Sequence, residues 1–441
     1  MTHALTGAPP FWLPGRFLVA AIGAFLLATT WSLFAAADLA DFYYHVHVLA
    51  LTHLVTLGWI TMTIMGAMYQ LVPVALQARL WSARLGPWQF WLYVVGVAGM
   101  VVHFWIGEFV GMAGSALFVL AGLLIFLVNM AATLARAGLR DLAARHLAAA
   151  LVYLLGTAVL GVLLALDKTL GFLRGEFLGL IAAHAHLAAL GWVTMTIFGV
   201  SYKLIPMFTL SAVQQPRLAA WQFWLFNVGL LGVFWSLFLS SPFTPLFAAV
   251  AGAAILLHAI QVLAILRQRK RPPLDLGIIH ALTALGYLVL LVPVGLLLAT
   301  GLLPDTPFRA RVVAAYGFLG LMGWVSLTIV GMLYKIVPFL VWYHCYSARV
   351  GLEPVPVMDR LYSRGLQRAG YWLLNLGITG TAAGLLAGDP QWLAVGLGLL
   401  AVGAWTFGIN MGMILSRLFT VGRRARVPPA ACSAGSERAA S

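Results

Sequence analysis

The chain has 441 residues, of which 62% are hydrophobic and only 9% are charged, and its mean hydropathy is +0.97. A soluble globular domain has about a quarter charged residues, so this composition excludes a soluble protein. The net charge of +14 would suit nucleic-acid binding, but basic residues between long apolar segments indicate membrane topology first. We therefore expect a polytopic membrane protein that contacts membrane lipid and has no nucleic-acid partner.

Apolar segments of roughly twenty residues or more, long enough to cross a ~30 Å hydrocarbon core, recur along the whole chain. They predict an all-α fold with twelve transmembrane helices. In chain order the predicted helices cover residues 17–37, 45–76, 88–106, 110–134, 147–166, 178–210, 221–240, 246–266, 277–300, 312–343, 368–387 and 391–415.

The basic residues are distributed unequally between the two sides of the membrane that this helix order defines. Of the 26 Lys and Arg residues, only Lys168, Arg174, Arg309 and Arg311 fall on the side opposite the termini. Because cytoplasmic segments carry the excess of Lys and Arg, we predict that both termini are cytoplasmic. The predicted location is a bacterial-type inner membrane.

One sequence pattern occurs three times. It reads HLVTLGWITMTIMGAMYQLVP, HLAALGWVTMTIFGVSYKLIP and FLGLMGWVSLTIVGMLYKIVP. Repeats in the same orientation are related by an axis along the membrane normal, so we predict one membrane domain of three four-helix repeats with pseudo-threefold symmetry. The predicted boundaries of the three repeats and of a disordered basic cytoplasmic tail are 1–146, 147–273, 274–420 and 421–441.

Histidine is the main ionisable residue inside the predicted helices, since no Asp, Glu or Arg lies well within an apolar segment. Ionisable groups at membrane depth indicate a functional site by default. The alternative is that these histidines only form hydrogen bonds between helices. Six of them fall in the outer half of the membrane in this topology: His45, His47, His53, His103, His184 and His186.

Two of these histidines lie on one helix. His184 and His186 are two residues apart, about 200° around the helix, so one metal cannot easily bind both. His53 occupies the repeat position of His186, where the third copy has Phe318. A histidine on each of two neighbouring helices at equal depth is suited to hold a haem between two axial nitrogens.

The segment HAHLAALGWVTMTIFGVSYKLIP resembles the haem-ligand helix of subunit I of the haem-copper oxidase superfamily, especially of its C-type oxidase and nitric oxide reductase branches. That superfamily also has twelve helices in three four-helix arcs. The resemblance implies a haem b whose axial ligands are His53 and His186, and allows a second haem on His184. It also implies a cytochrome c or quinol electron donor and other respiratory subunits as partners.

The chain departs from the family pattern at the copper site. The family has a His-His pair on its seventh helix, whereas WQFWLFNVGLLGVFWSLFLSS contains no histidine. Copper is therefore allowed but not indicated by the usual motif, and whether the chain is an enzyme stays open; an enzyme of this kind would be an oxidoreductase. His45, His47 and His103 could supply a differently placed metal site.

Three outer arginines, Arg174, Arg309 and Arg311, each precede a repeat helix. They are candidate partners of haem propionates, with ordinary loop solvation as the alternative. The first functional hypothesis is a haem-b membrane protein acting in electron transfer or in reaction with a small diatomic ligand, O2 or NO. The alternatives are a haem-free transporter or a metal-handling or assembly factor on the same scaffold, and a structural subunit of a respiratory complex.

Overall fold

The computed structural model describes residues 9–139, 141–173, 176–213, 215–270 and 273–424, which form helices and no β-strand. Twelve long helices are followed by a short one. In chain order they are Trp12–Asp41 (α1), Val46–Ala75 (α2), Leu85–Ile106 (α3), Phe109–Ala137 (α4), Leu142–Leu170 (α5), Phe177–Thr209 (α6), Pro216–Phe238 (α7), Thr244–Arg267 (α8), Leu276–Ala299 (α9), Pro307–Arg349 (α10), Arg364–Ala387 (α11), Pro390–Leu415 (α12) and Arg417–Arg424 (α13).

The predicted all-α polytopic fold is confirmed. Eleven of the described helices are long and apolar enough to cross a membrane, and the remaining long one, α11, has 24 residues and corresponds to the helix predicted at 368–387. The predicted tail at 421–441 overlaps the end of α13, and residues 425–441 lie outside the described residues. The residue boundaries of the three repeats stay a prediction.

Several of the chain's few acidic residues begin helices. The carboxylate of Asp141 accepts a hydrogen bond from the amide of Ala143 at the start of α5, and Asp275 caps α9 in the same way. A side-chain oxygen at this position satisfies an amide that has no partner within the helix. Each of these two aspartates also pairs with a lysine on the next helix along the chain: Asp141 with Lys203 of α6, and Asp275 with Lys335 of α10.

The middle of α2, α6 and α10 is wound as a π-helix, at Leu54–Thr61, Leu187–Thr194 and Leu319–Ser326. In two of them a hydroxyl at the end of the segment donates to the carbonyl five residues earlier: Thr194 to Ala189 and Ser326 to Leu321, both at 2.8 Å. π-Helical turns often occur at functional sites. In α2 and α6 the π-helix begins directly after a histidine, His53 or His186.

Three tryptophans connect these central helices in a closed cycle, which we call the tryptophan ring. The indole nitrogen of Trp59 in α2 donates to Ser326 in α10 at 3.1 Å, that of Trp324 in α10 to Thr194 in α6 at 2.9 Å, and that of Trp192 in α6 to Thr61 in α2 at 3.1 Å. The three side chains are at most 4% exposed. The ring therefore joins the three helices at one level of the bundle.

Glycines allow the outer helices of the bundle to pack closely in pairs. A Cβ atom placed on Gly96 of α3 would lie 2.6 Å from a backbone nitrogen of α4. Gly229 of α7 and Gly377 of α11 approach the backbones of α8 and α12 with the same tight fit. Small residues at such contacts let transmembrane helices pack through van der Waals contact.

Candidate functional site

Histidines gather at the end of the bundle where α2, α6 and α10 begin, which we call the outer end after the predicted orientation. His53 lies on α2, and its Nδ1 is 2.7 Å from the carbonyl oxygen of Leu49. Its ring stacks on Phe104 of α3, with centroids 4.7 Å apart. A carbonyl accepts from a ring nitrogen that carries the proton, so the lone pair of His53 lies on Nε2 and is available to a metal.

His186 on α6 has the same local arrangement. Its Nδ1 is 2.8 Å from the carbonyl oxygen of Ala182, which again leaves Nε2 as the free acceptor. Its ring lies against that of Tyr316 on α10, with centroids 6.2 Å apart and planes 29° from parallel. The orientation of this histidine is thus fixed by its own helix and by the third central helix.

His184 faces a different neighbour. Its ring packs on α5 at Gly161, where an added Cβ would lie 3.0 Å from Cε1 of the imidazole. Its Nδ1 is buried and has no hydrogen-bond partner, although a buried polar atom normally has one. His53 lies within electrostatic range of His184. His184 thus has a buried nitrogen without a partner and is packed closely against a glycine. Such an imidazole is suited to bind a metal-containing ligand.

The two α6 histidines, His184 and His186, have different neighbours. His184 lies within electrostatic range of His53, whereas the ring of His186 lies against that of Tyr316. The physical reason is the ~200° between residues two apart on a helix, which directs the two α6 histidines to different neighbouring helices. The pairing with His186 stays a prediction.

Tyr316 was not identified from the sequence as a site residue. It occupies the repeat position of His184, two residues before Phe318, so the repeat alignment contains the signal that would have found it. Its hydroxyl lies close to Gly295 of α9, where an added Cβ would be 3.0 Å from the oxygen. The third central helix therefore contributes a phenol at the level where α6 contributes an imidazole.

The predicted arginines differ in their surroundings. Arg309 contacts Asp305 at 3.3 Å, and its Nε is buried without a hydrogen-bond partner. Arg311 donates to the carbonyl of Ala387 at the end of α11, so one of its nitrogens is already used. Burial raises the pKa of Tyr43, and nearby Arg309 acts in the opposite direction. Arg174 lies outside the described residues.

The predicted metal residues separate into two groups. His45 and His47 lie together with Asp38, and the candidate ligand atoms of these three residues are within 4.8 Å of one another. His103 lies elsewhere: its Nδ1 is 2.6 Å from the carbonyl oxygen of Gly99, and its Nε2 is 3.7 Å from the carboxylate of Glu108. Among the described residues, the third member of the cluster is therefore Asp38, which was not predicted as a ligand, and not His103.

Three further histidines, His146, His258 and His280, are fully buried in the inner half of the bundle. The hydroxyl of Tyr202 is 3.2 Å from Nδ1 of His258 and donates to Gln222, whose Oε1 is 3.4 Å from Nε2 of His146. Such a network joins helices through hydrogen bonds between buried polar side chains. His146 and His258 therefore form hydrogen bonds between helices, which is the alternative to a functional site considered for the histidines in the sequence analysis.

The fold and the histidine layer define an integral membrane protein with imidazole nitrogens presented at one end. A family model described as Cytochrome C and Quinol oxidase polypeptide I matches residues 2–117 and 108–241. These segments together cover more than half of the chain, and the chain therefore belongs to this family. Membership supports a membrane oxidase-type role in electron transfer. A comparison with curated proteins finds no match.

The fold is also similar to a solved structure. A cryo-EM structure described as a heme-copper terminal oxidase dimer matches with a TM-score of 0.62 and 13% identity, covering 95% of this chain and 83% of that chain. At this identity the likeness establishes the fold alone. The predicted resemblance to the haem-copper oxidase superfamily is confirmed by the family match and by this fold.

Proposed function

We propose that this protein binds haem b in its outer histidine layer and acts in electron transfer or in reaction with O2 or NO. The observation that carries the proposal is the state of three imidazoles: His53 and His186 each use Nδ1 for a backbone carbonyl, and His184 has a buried nitrogen without a partner. Imidazole nitrogens of this kind are the usual axial ligands of b-type cytochromes. Family membership supports the same assignment.

The proposed ligands of the first haem are His53 and His184. They come from different central helices and lie within electrostatic range of each other. His186, facing Tyr316, is then the proposed ligand of a second haem. This assignment exchanges the roles of the two α6 histidines relative to the sequence-based prediction.

A haem bound here would supply a one-electron iron couple, and the residues of the chain would set its orientation. The carbonyl of Leu49 accepts a hydrogen bond from Nδ1–H of His53. This bond fixes the ring plane and makes the lone pair of Nε2 a stronger ligand for iron. Phe104 supports the same ring from the side. Arg309, whose Nε is buried and unpaired, is the proposed partner of a haem propionate.

The remaining parts of the proposal concern the surroundings of the site. We propose a bacterial-type inner membrane location with both termini in the cytoplasm, supported by the distribution of basic residues. The electron donor would be a cytochrome c or a quinol, with other respiratory subunits bound in the membrane. Since α7 has no histidine, we assign no step to copper at the position where the family has its copper ligands.

The test combines an alkaline pyridine haemochrome spectrum and an iron measurement, which give haem type and content, with a reduced-minus-oxidised spectrum of the folded protein, which reports low-spin haem, on purified protein and single variants. We expect haem b in the native protein and loss of the same low-spin signal in His53→Ala and His184→Ala. His103→Ala is the matched control, because it removes an outer histidine that has other partners. Loss of that signal in His186→Ala but not in His184→Ala would restore the sequence-based pairing. A colourless protein without iron would contradict the proposal and favour a haem-free function.

A further inference from the structure

A second cluster at the outer end lies where α1 turns into α2. Asp38 is in the last turns of α1, His45 caps the start of α2, and His47 follows two residues later. One carboxylate oxygen of Asp38 is 2.7 Å from Nδ1 of His47, and the other is 3.9 Å from Nδ1 of His45. Residues of two helices thus direct two imidazoles and one carboxylate at a common point.

The cluster is both held in place and reachable from outside. The ring of His47 stacks on Trp105 of α3, with centroids 4.1 Å apart and planes 21° from parallel. Trp105 in turn packs against Trp31 of α1, at 4.6 Å. The side chains of Asp38, His45 and His47 are each about one-third exposed: 31%, 35% and 29%. A small ion can therefore enter without opening the bundle.

We infer that Asp38, His45 and His47 form a binding site for one divalent transition-metal ion of the Zn2+ or Cu2+ type. Two imidazoles and one carboxylate are a ligand set that these ions accept, with the remaining positions open to water. Ligand atoms at ~2.05 Å from a tetrahedral ion lie about 3.3 Å apart. The Asp38–His47 separation therefore opens by roughly half an ångström on binding, and Nδ1 of His47 releases its proton.

The site is distinct from the proposed haem ligands. His53 lies further along α2 and stacks on Phe104, whereas His47 stacks on the next residue of α3, Trp105. Binding at the cluster needs no haem, so metal and haem contents can be measured separately on the same sample.

The test is Zn2+ binding to the full-length purified protein after treatment with a chelator, by equilibrium dialysis with metal analysis. We expect one Zn2+ per chain and an affinity at least ~100-fold weaker in Asp38→Asn, since even loss of an outer-shell partner costs 10–100-fold. His45→Asn is the second variant, because asparagine keeps the helix cap while removing the imidazole. His103→Ala is the control and should bind as the native protein does.

Electron paramagnetic resonance with Cu2+ as the probe identifies the ligands directly. We expect coupling to two nitrogens in the native protein and to one in His45→Asn, with an unchanged melting temperature in the absence of metal. Equal Zn2+ affinity in the native protein, Asp38→Asn and His45→Asn would overturn the inference. Loss of binding in His103→Ala to the same extent would also overturn it.

Discussion

The tryptophan ring predicts a specific stability loss when one of its acceptors is removed. Thr194 is fully buried and accepts from the indole of Trp324 at 2.9 Å. Thr194→Val keeps the shape of the side chain but leaves that indole N–H without a partner and also removes the bond from the Thr194 hydroxyl to the carbonyl of Ala189. The change therefore tests the two hydrogen bonds of this hydroxyl together, without creating a cavity.

The expected cost follows from the surroundings of the bond. A buried donor left unpaired costs about 1–3 kcal/mol in proteins generally. Hydrogen bonds between membrane helices average only ~0.6 kcal/mol and reach ~1.7, because the unfolded chain in the membrane also finds partners. For a fully buried indole, we expect Thr194→Val to lower the free energy of unfolding by about 1–2 kcal/mol, and Ser326→Ala, which removes the acceptor of Trp59, to have a similar effect.

The assay is reversible unfolding in mixed micelles with increasing SDS, followed by tryptophan fluorescence. Thr63→Val is the matched control: Thr63 lies on a central helix and is only 4% exposed, but its hydroxyl has no hydrogen-bond partner. We expect this variant to be at least as stable as the native protein. If Thr194→Val and Thr63→Val unfold at the same SDS fraction, the ring does not stabilise the bundle and the reasoning is refuted.

Two further predictions concern helix packing and helix ends. Gly229→Ala should lower the free energy of unfolding by about 1–3 kcal/mol, because the added methyl overlaps the backbone of α8, whereas Gly114→Ala meets open space and should not; the same SDS titration compares them. Asp275→Ala should cost about 0.5–2 kcal/mol through the lost cap of α9. Lys335→Met removes only a partly exposed ion pair and should cost less than about 1 kcal/mol; equal losses would contradict the capping role.

The sequence was sufficient for the helices and for the level of the histidines. Apolar length predicts each membrane helix, and helical geometry separates His184 from His186 by about 200°. The helix ends were less accurate: the segment predicted at 147–166 is observed as Leu142–Leu170. The added turns contain polar residues such as His146 and Lys168, so a prediction based on the length of the apolar segment leaves them out. At the start of the helix, the cap formed by Asp141 marks the observed boundary.

Contacts that form only in the folded structure could not be predicted from the sequence. The π-helical winding of α2, α6 and α10 depends on hydroxyl and backbone bonds five residues apart, a spacing that hydropathy does not report. Asp38 was missed because it reaches His47 only after the chain turns between α1 and α2. Conversely, His103 lies at the right depth, but its Nδ1 is bonded to the carbonyl of Gly99 and its Nε2 lies 3.7 Å from the carboxylate of Glu108.

The tryptophan ring also separates two chemically different halves of the bundle. On its inner side the central helices line a cavity of about 130 Å3 with mostly aliphatic walls, a few polar side chains such as Ser201 and His258 and, among the described residues, no carboxylate. Its one lysine, Lys203, is paired with Asp141 at the inner end. The outer side holds the six histidines of the outer layer together with Asp38 and Glu108. The acidic groups beside the outer histidine layer therefore lie at the outer end, whereas the ionisable side chains that line the inner cavity, among the described residues, are Lys203 and His258.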